Sequence, residues 1–480
     1  MIFTIENLGI IEKAEIDLSK DLIVLYGQNN TGKTSLAYSI YYLWKIKQDY
    51  AYFLLNLKFK FLREQSQNIL SLIESEIKNY NVSYGFNVNL ISVFHHIKEY
   101  KKVILADLCQ QYAENIGNFF SFPSHLSFSS IKVSLDIPDE EIERRIYVSE
   151  IKYSAYFNRI PEGEANLTVS KQTHSEQLVF MFHSDEHDKG TEYIAEEVFK
   201  IIIDSIVNFS AYVAPFERSA ISTFNKELSL TRNRIFDKLL KADKYTDELI
   251  ELLNRRVNRY PQPIRDSLTI VADISVLKKN PCEFNFLSEE LERMILKGKM
   301  IISEEGDIYY LPEGTTGPGL DMHLTGSSVK SLCSIIFYLR YLAKRGDYII
   351  IDEPELSLHP DSQILMARFL AQLVNNGFKV IISTHSDYLM REINNLIMLS
   401  QPQAEPLMNI YGYTPSQLLK PSQVNTYLFK QNQRTPQLVP VNEKGINLFV
   451  LDEISRQLSK VSDHIQSVLF EQEENPIASK

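Results

Sequence analysis

Polar and apolar positions alternate over Ile2–Leu8 and Ala14–Leu18, which predicts two strands, and the apolar run Leu22–Tyr26 predicts a third. Helical spacing begins at Ser35–Trp44. It continues, rich in aromatic residues (Tyr41, Tyr42, Trp44, Tyr50, Tyr52, Phe53), from Ser39 to about Glu114, and those rings read as packing. From Leu126 to Phe182 the pattern turns to β alternation, with Ser127–Leu135 and Ile146–Ser154 as meander strands. An amphipathic helix over Glu192–Phe209 and a short strand at Ala211–Val213 follow. Ile221 to about Leu296 is mostly helical, and Met300–Leu311 reads as a hairpin turning at Glu305–Gly306. The next stretch alternates strictly: helix Ser327–Leu342, strand Tyr348–Asp352, helix Asp361–Val374, strand Phe378–Ser383, helix Asp387–Ile397. That spacing predicts an α/β fold with a parallel sheet. Strands near Met408–Tyr413 and Gln423–Lys430, a helix over Ile446–Leu469 and a frayed tail from Glu471 complete the reading.

Composition narrows the class. A length of 480 residues corresponds to about three domains. Hydrophobic residues make up 44% and charged residues 23%, as in an ordinary globular protein. No apolar run approaches the length of a membrane span, and the segment from Met1 lacks the basic start and apolar core of a signal peptide. Cys109, Cys282 and Cys333 are scattered without metal-ligand spacing, so a reducing, cytoplasmic setting is the expectation. A net charge of −11 argues against a chain coated in nucleic acid. The basic positions Arg232, Arg234, Lys238, Lys241, Lys244, Arg255, Arg256, Arg259 and Arg265 are interleaved with acids and read as a solvated helical face.

Two motifs carry chemistry. Gly27–Thr34 fits G-x-x-x-x-G-K-[ST] between a strand and a helix, the context that a phosphate loop requires. Its glycines permit a tight turn, and backbone N–H groups then face a β-phosphate at the positive end of the helix. Lys33 supplies a point charge for the β- and γ-phosphates, and the Thr34 hydroxyl is placed to bind magnesium. Tyr348–Glu353 is a buried strand ending in two acids: Asp352 as the Mg2+ ligand, Glu353 as the base that polarises water. His385, at the end of the next strand, can hydrogen-bond a γ-phosphate. Together these residues predict a nucleoside-triphosphate hydrolase with Lys33, Glu353 and His385 as its catalytic groups.

Gly27–Thr34, the run Asp352–Pro360 and Ser383–His385 resemble the ABC-type ATPase head of the SMC, RecF and OLD group. The resemblance implies an ABC-type P-loop ATPase head with a mixed sheet, a β-rich and helical insertion and a helical lobe, and it implies ATP as the nucleotide. The cradle is then Gly27, Asn29, Asn30, Thr31, Gly32, Lys33, Thr34 and Ser35. A serine signature is expected at Leu324–Lys330, with Ser327, Ser328 and Lys330 reaching the γ-phosphate held by a second subunit; Val329 stands where many relatives have glycine. Tyr212–Ser219 looks like a segment of the bacterial anti-phage ATPases of this group, in which Arg218 is either near the nucleotide or in a surface salt bridge.

The resemblance divides the chain into an N-terminal lobe (1–48), a helical then β-rich insertion (49–209), a core strand (210–218), a helical insertion in place of a coiled-coil arm (219–298), a C-terminal lobe (299–400), terminal strands and helix (401–470) and a tail (471–480). It implies an ATP-dependent homodimer or higher homo-oligomer. With no nuclease or Toprim cluster recognisable, the leading expectation is a sensor or regulator of a separate nuclease or toxin in anti-phage defence, of the PARIS, Septu or retron-associated type, triggered by a phage protein or DNA. The alternative is a RecF-like repair ATPase that clamps DNA.

Overall fold

The computed structural model describes residues 1–55, 85–121, 130–155, 167–182, 190–207, 210–224, 260–272, 280–304 and 306–447, with positions 71, 274, 460, 461 and 464. The central sheet has six strands in the order β16-β15-β3-β14-β13-β9. They are β3 (Leu22–Gly27), β9 (Ala211–Ala214), β13 (Tyr348–Asp352), β14 (Lys379–Thr384), β15 (Val424–Phe429) and β16 (Gln437–Val439). All pair in parallel except β16, which runs antiparallel to β15. The period of two along each strand splits the apolar residues between two cores. Leu22, Val24, Ile349, Ile351, Val380 and Ile382 enter one; Ile23, Leu25, Ile350 and Ile381 enter the other. Strands covered on both faces must be apolar throughout, which explains the uninterrupted Ile349–Ile351 run.

On one face lie helix α1 (Lys33–Leu55) and a three-stranded antiparallel sheet of β1 (Ile2–Leu8), β2 (Ile11–Asp17) and β5 (Lys132–Asp136), ordered β2-β1-β5. Trp44 of α1 stacks on Tyr348, ring centroids 4.3 Å apart, and so fixes the helix over β13. On the other face lie α8 (Ser327–Tyr341), α9 (Pro360–Asn375) and α10 (Asp387–Met398). Each ends a connection between strands of the main sheet or leads into one, as parallel pairing requires.

Peripheral pieces depart from the sequence expectations in places. Inside the expected helical tract, Gly85–Asn89 forms β4, joined to β6 (Ile151–Ala155), β7 (Leu167–Lys171) and β8 (Gln177–Phe182) in a second antiparallel sheet. Helices α2 (Leu90–Ile97) and α3 (Lys101–Phe119) follow β4. Within the expected meander, Asp139–Val148 is helix α4: Pro138 precedes it, three acids fill its first turn, and Ile142 and Ile146 are its buried face. Helix α5 (Gly190–Val207) then leads to β9. The segment near Met408–Tyr413 is not a strand but the end of helix α11 (Glu405–Tyr411), closed by Gly412 at φ 71°. Helices α6 (Gln262–Ala272) and α7 (Asn285–Leu291) belong to the helical tract, while the basic positions 232–259 lie outside the described residues. The hairpin forms as β10 (Gly298–Ile302) and β11 (Ile308–Pro312), with β12 (Leu320–Asp321) beside them. Ile446 ends the two-residue strand β18 (Gly445–Ile446), which pairs with β17 (Val441–Asn442), so the helix expected from Ile446 does not start there; its remainder lies mostly outside the described residues.

Candidate active site

Parallel strands end at one edge, so the functional residues meet although they are hundreds of positions apart. In register, Gly27 faces Phe429, Tyr26 faces Thr384, and Asp352 faces Ser383. This carboxyl edge is where open α/β sheets bind ligands. A cavity of about 420 Å³ opens there, lined by Asn29, Asn30, Thr31, Gly32, Lys33, Thr34, Ser35, Asp352, Glu353 and Ser383.

The loop from β3 into α1 takes conformations that ordinary residues avoid. Gly27 has φ 142°, Asn30 φ 60° and Gly32 φ 92°. A Cβ on Gly27 would lie 2.0 Å from the Phe429 carbonyl oxygen, so β15 packs against the loop at a distance only glycine allows. Thr31 closes the turn by donating to the Gln28 carbonyl at 2.7 Å. Lys33, 7% exposed, folds back onto the same loop and donates to the carbonyls of Gly27 (2.9 Å) and Gln28 (2.6 Å). Burial lowers its pKa, while the charges of Glu353, Asp352 and Glu355 pull it back.

Opposite the loop, Asp352 accepts three side-chain hydrogen bonds. Its Oδ1 accepts from the Thr34 hydroxyl at 2.9 Å and from Ser383, and its Oδ2 accepts from Tyr38 at 3.4 Å. Burial raises its pKa; the Ser383 and Thr34 hydrogen bonds oppose that rise. Two hydroxyls converging with a carboxylate make a set of hard oxygen donors suited to magnesium, with room on the cavity side for phosphate oxygens. The donors fit that ion, and the cradle fits a polyphosphate.

Glu353 follows in a left-handed conformation, φ 49°. Its Oε1 lies 3.3 Å from His385 Nδ1. That hydrogen bond is the main reason the Glu353 pKa is lowered and the His385 pKa raised. The structure thus brings Lys33, Thr34, Asp352, Glu353 and His385 into one cluster.

Glu355 is a member that the sequence reading passed over. It is 6% exposed, and its Oε1 accepts from the Thr384 hydroxyl (2.7 Å) and the His385 N–H (3.0 Å), with His385 Nδ1 at 3.5 Å. A buried carboxylate beside the acid pair costs desolvation unless it holds something in place, and here it holds the His385 turn. The signal was the third acid of Asp352–Glu355, two residues beyond the pair.

The signature residues lie elsewhere. Ser327 opens α8 and is exposed, Ser328 is half-buried, and the Lys330 ammonium donates to the His323 carbonyl at 3.2 Å. None of the three lines the cavity. Val329 is buried in the core beneath them. Arg218 is neither at the nucleotide cavity nor on the surface. It is fully buried, and its guanidinium donates to the main-chain carbonyls of Pro215, Ser331, Asp352 and Glu353.

Among solved structures, the chain is similar to an Smc head domain with an extended coiled coil, bound to the C-terminal domain of ScpA and derived from Pyrococcus furiosus. The two share 11% identity over 96% of this chain and 98% of that one, with a TM-score of 0.28. It is also similar to an SmcHead bound to the C-winged helix domain of ScpA, at 10% identity, 91% and 96% coverage and a TM-score of 0.30. No curated protein matches. The family is established by sequence: the AAA ATPase domain model matches residues 1–390, and the chain accordingly belongs to the AAA ATPase domain family, an α/β P-loop ATPase.

Proposed function

We propose that the chain is an ATP-driven switch of the SMC-like type, in which two copies close on ATP and hydrolysis releases them. The observation that carries the reading is the cluster at the sheet edge, with Thr34 on Asp352 and His385 on Glu353 across a cavity floored by Lys33. The backbone of Asn29–Gly32 and the Lys33 ammonium hold the phosphates, with Ser35 beside them. Thr34 and Asp352 would hold magnesium, which would supply neutralising charge to the phosphates. Glu353 takes the proton of the attacking water, and His385 donates to the terminal phosphate while keeping Glu353 oriented.

The exposed start of α8 supports closure between two copies. Its Ser327, Ser328 and Lys330 do not line their own cavity and would meet the nucleotide of a partner. The ATPase lobes are 1–48, 210–218 and 299–400. Support comes from the main sheet, which takes β3, β9, β13 and β14 from those segments and adds β15 and β16 from 401–470. The insertions 49–209 and 219–298 are then the surfaces for a separate effector, a nuclease or toxin, in a cytoplasmic anti-phage module triggered by a phage protein or DNA. That role rests on the motif resemblance. Among the described residues no helix is long and apolar enough to cross a membrane.

Glu353→Gln and Lys33→Ala test the reading together. Glu353→Gln should bind ATP, lose roughly 10²–10³-fold in turnover and accumulate as a dimer in ATP on size-exclusion chromatography. Lys33→Ala should lose ATP binding and stay monomeric. Normal turnover in Glu353→Gln, or unchanged nucleotide affinity in Lys33→Ala, contradicts it.

A further inference from the structure

Arg218 presents a problem that the nucleotide chemistry leaves unsolved. A guanidinium is always charged, and burying it is unfavourable unless hydrogen bonds and a compensating field offset the loss of water. Here Nε donates to the Ser331 carbonyl at 3.0 Å, Nη1 to those of Pro215 (3.1 Å) and Asp352 (2.5 Å), and Nη2 to that of Glu353 (2.6 Å). The acceptors belong to three separate elements. Pro215 follows β9, Asp352 ends β13 with Glu353 directly after it, and Ser331 lies in the second turn of the helix that begins at Ser327.

The grip falls on the peptide units that set the direction of Glu353. That residue occupies the left-handed region, which non-glycine residues adopt only where the surroundings enforce it. Its carbonyl is held by Arg218, and its N–H donates to the Ser383 carbonyl at 2.9 Å. By taking main-chain carbonyls, Arg218 brings positive charge to the acid pair and leaves the side-chain oxygens of Asp352 to Thr34, Ser383 and Tyr38 and the Glu353 carboxylate to His385. Only a planar fork with several N–H groups can span these acceptors.

We propose that Arg218 is a positioning residue for hydrolysis, fixing the backbone of Glu353 and tying it to α8, so that seating the Ser327 end of that helix on a partner's nucleotide is relayed to the base. This rests on the reading of Glu353 as base and of α8 as the element that meets the partner.

The test is Arg218→Lys, alone and combined with Glu353→Gln, with nucleotide affinity, KM and kcat measured on the full chain. Arg218→Lys should bind ATP within about threefold of the parent, keep KM and lose roughly 10–100-fold in kcat, as expected for a misplaced rather than missing base. On the Glu353→Gln background it should cost nothing further, because the group through which it acts is already gone. A kcat within about twofold of the parent overturns the proposal. So does a loss that multiplies with that of Glu353→Gln, or an affinity that falls in step with kcat. Arg218→Gln carries the same readouts if the lysine variant does not fold, and failure of both to fold marks the residue as structural and overturns the proposal. If Glu353→Gln itself turns over normally, the general-base reading fails; if that variant is inactive and Arg218→Lys is not impaired, the bracket alone fails.

Discussion

At the scale of single residues, the site is a set of opposed charges whose ionisation is mutual. His385 and Glu353 share a hydrogen bond that raises one pKa and lowers the other. The linkage signs follow. The His385 contribution to stability is complete below the imidazole's ordinary 6.5 and is lost as pH rises through its raised value. The Glu353 contribution is complete above its ordinary 4.5 and is lost as pH falls through its lowered value. The pair therefore stabilises the nucleotide-free protein between those limits. His385 is 44% exposed, so water screens the pair to at most about 1 kcal/mol. In thermal melts His385→Ala should be less stable than the parent just below the imidazole's ordinary 6.5, and the difference should close as pH rises through the raised His385 value. A gap that widens with pH would show that the pairing is not the source. Lys33, Thr34, Asp352, Glu353 and His385 were legible as single residues because each stands at a fixed offset from a strand end. Glu355 was not, and Arg218 was singled out through the resemblance without its surroundings. Apart from the Pro215 carbonyl, their partners are carbonyls, a hydroxyl and an N–H more than twenty-five residues away on other elements, and nothing in the local sequence records such partners.

At the scale of elements, the junction of β3 with the phosphate loop is the tightest point. Gly27 combines φ 142° with a β15 carbonyl where a Cβ would stand. Gly27→Ala should destabilise the fold by at least about 1–3 kcal/mol and weaken ATP binding as β15 is pushed off the loop. Denaturant midpoints and nucleotide titrations check both, and an alanine variant with parental values of each would show that the approach is softer than the geometry implies. The strands and helices from Ser327 to Ile397 follow the hydrophobic pattern closely, because a sheet buried on both faces leaves no ambiguity of period. The misread elements are short and peripheral. β4 has five residues and is defined by pairing with β8, a contact absent from its own sequence. In α11, the apolar Leu407, Met408, Ile410 and Tyr411 read as a strand, yet only Met408 among them is buried, and the Gly412 cap decides for helix.

At the scale of the whole molecule, the cluster at the sheet edge and the serine-bearing helix start are separate places on one chain. A site completed by a partner makes a sharp prediction for mixtures. Neither Ser328→Arg nor Lys33→Ala alone should hydrolyse ATP. Mixed together they should recover up to about a quarter of parental activity, because a heterodimer holds one site with an intact loop facing an intact signature. An inactive mixture that nonetheless forms heterodimers would place the signature residues outside the hydrolytic site. The parallel core of the sheet and the position of the site at its edge were foreseeable from the alternation of elements. The recruitment of β15 and β16 to the same sheet was not, because strand order depends on pairings that the linear pattern does not encode.

The place of β3 in that order has a consequence for synthesis. The strand carrying the phosphate loop lies between β14 and β15, and so both of its hydrogen-bonding flanks are supplied by the distal part of the polypeptide. A ribosome must add roughly 400 residues after β3 before its second flank exists, which gives this region a high contact order. During translation the loop emerges early and waits without its neighbours. A chain stalled before Val424 has no Phe429 carbonyl for Gly27 to meet, so competence to hold nucleotide waits for β15 to be made.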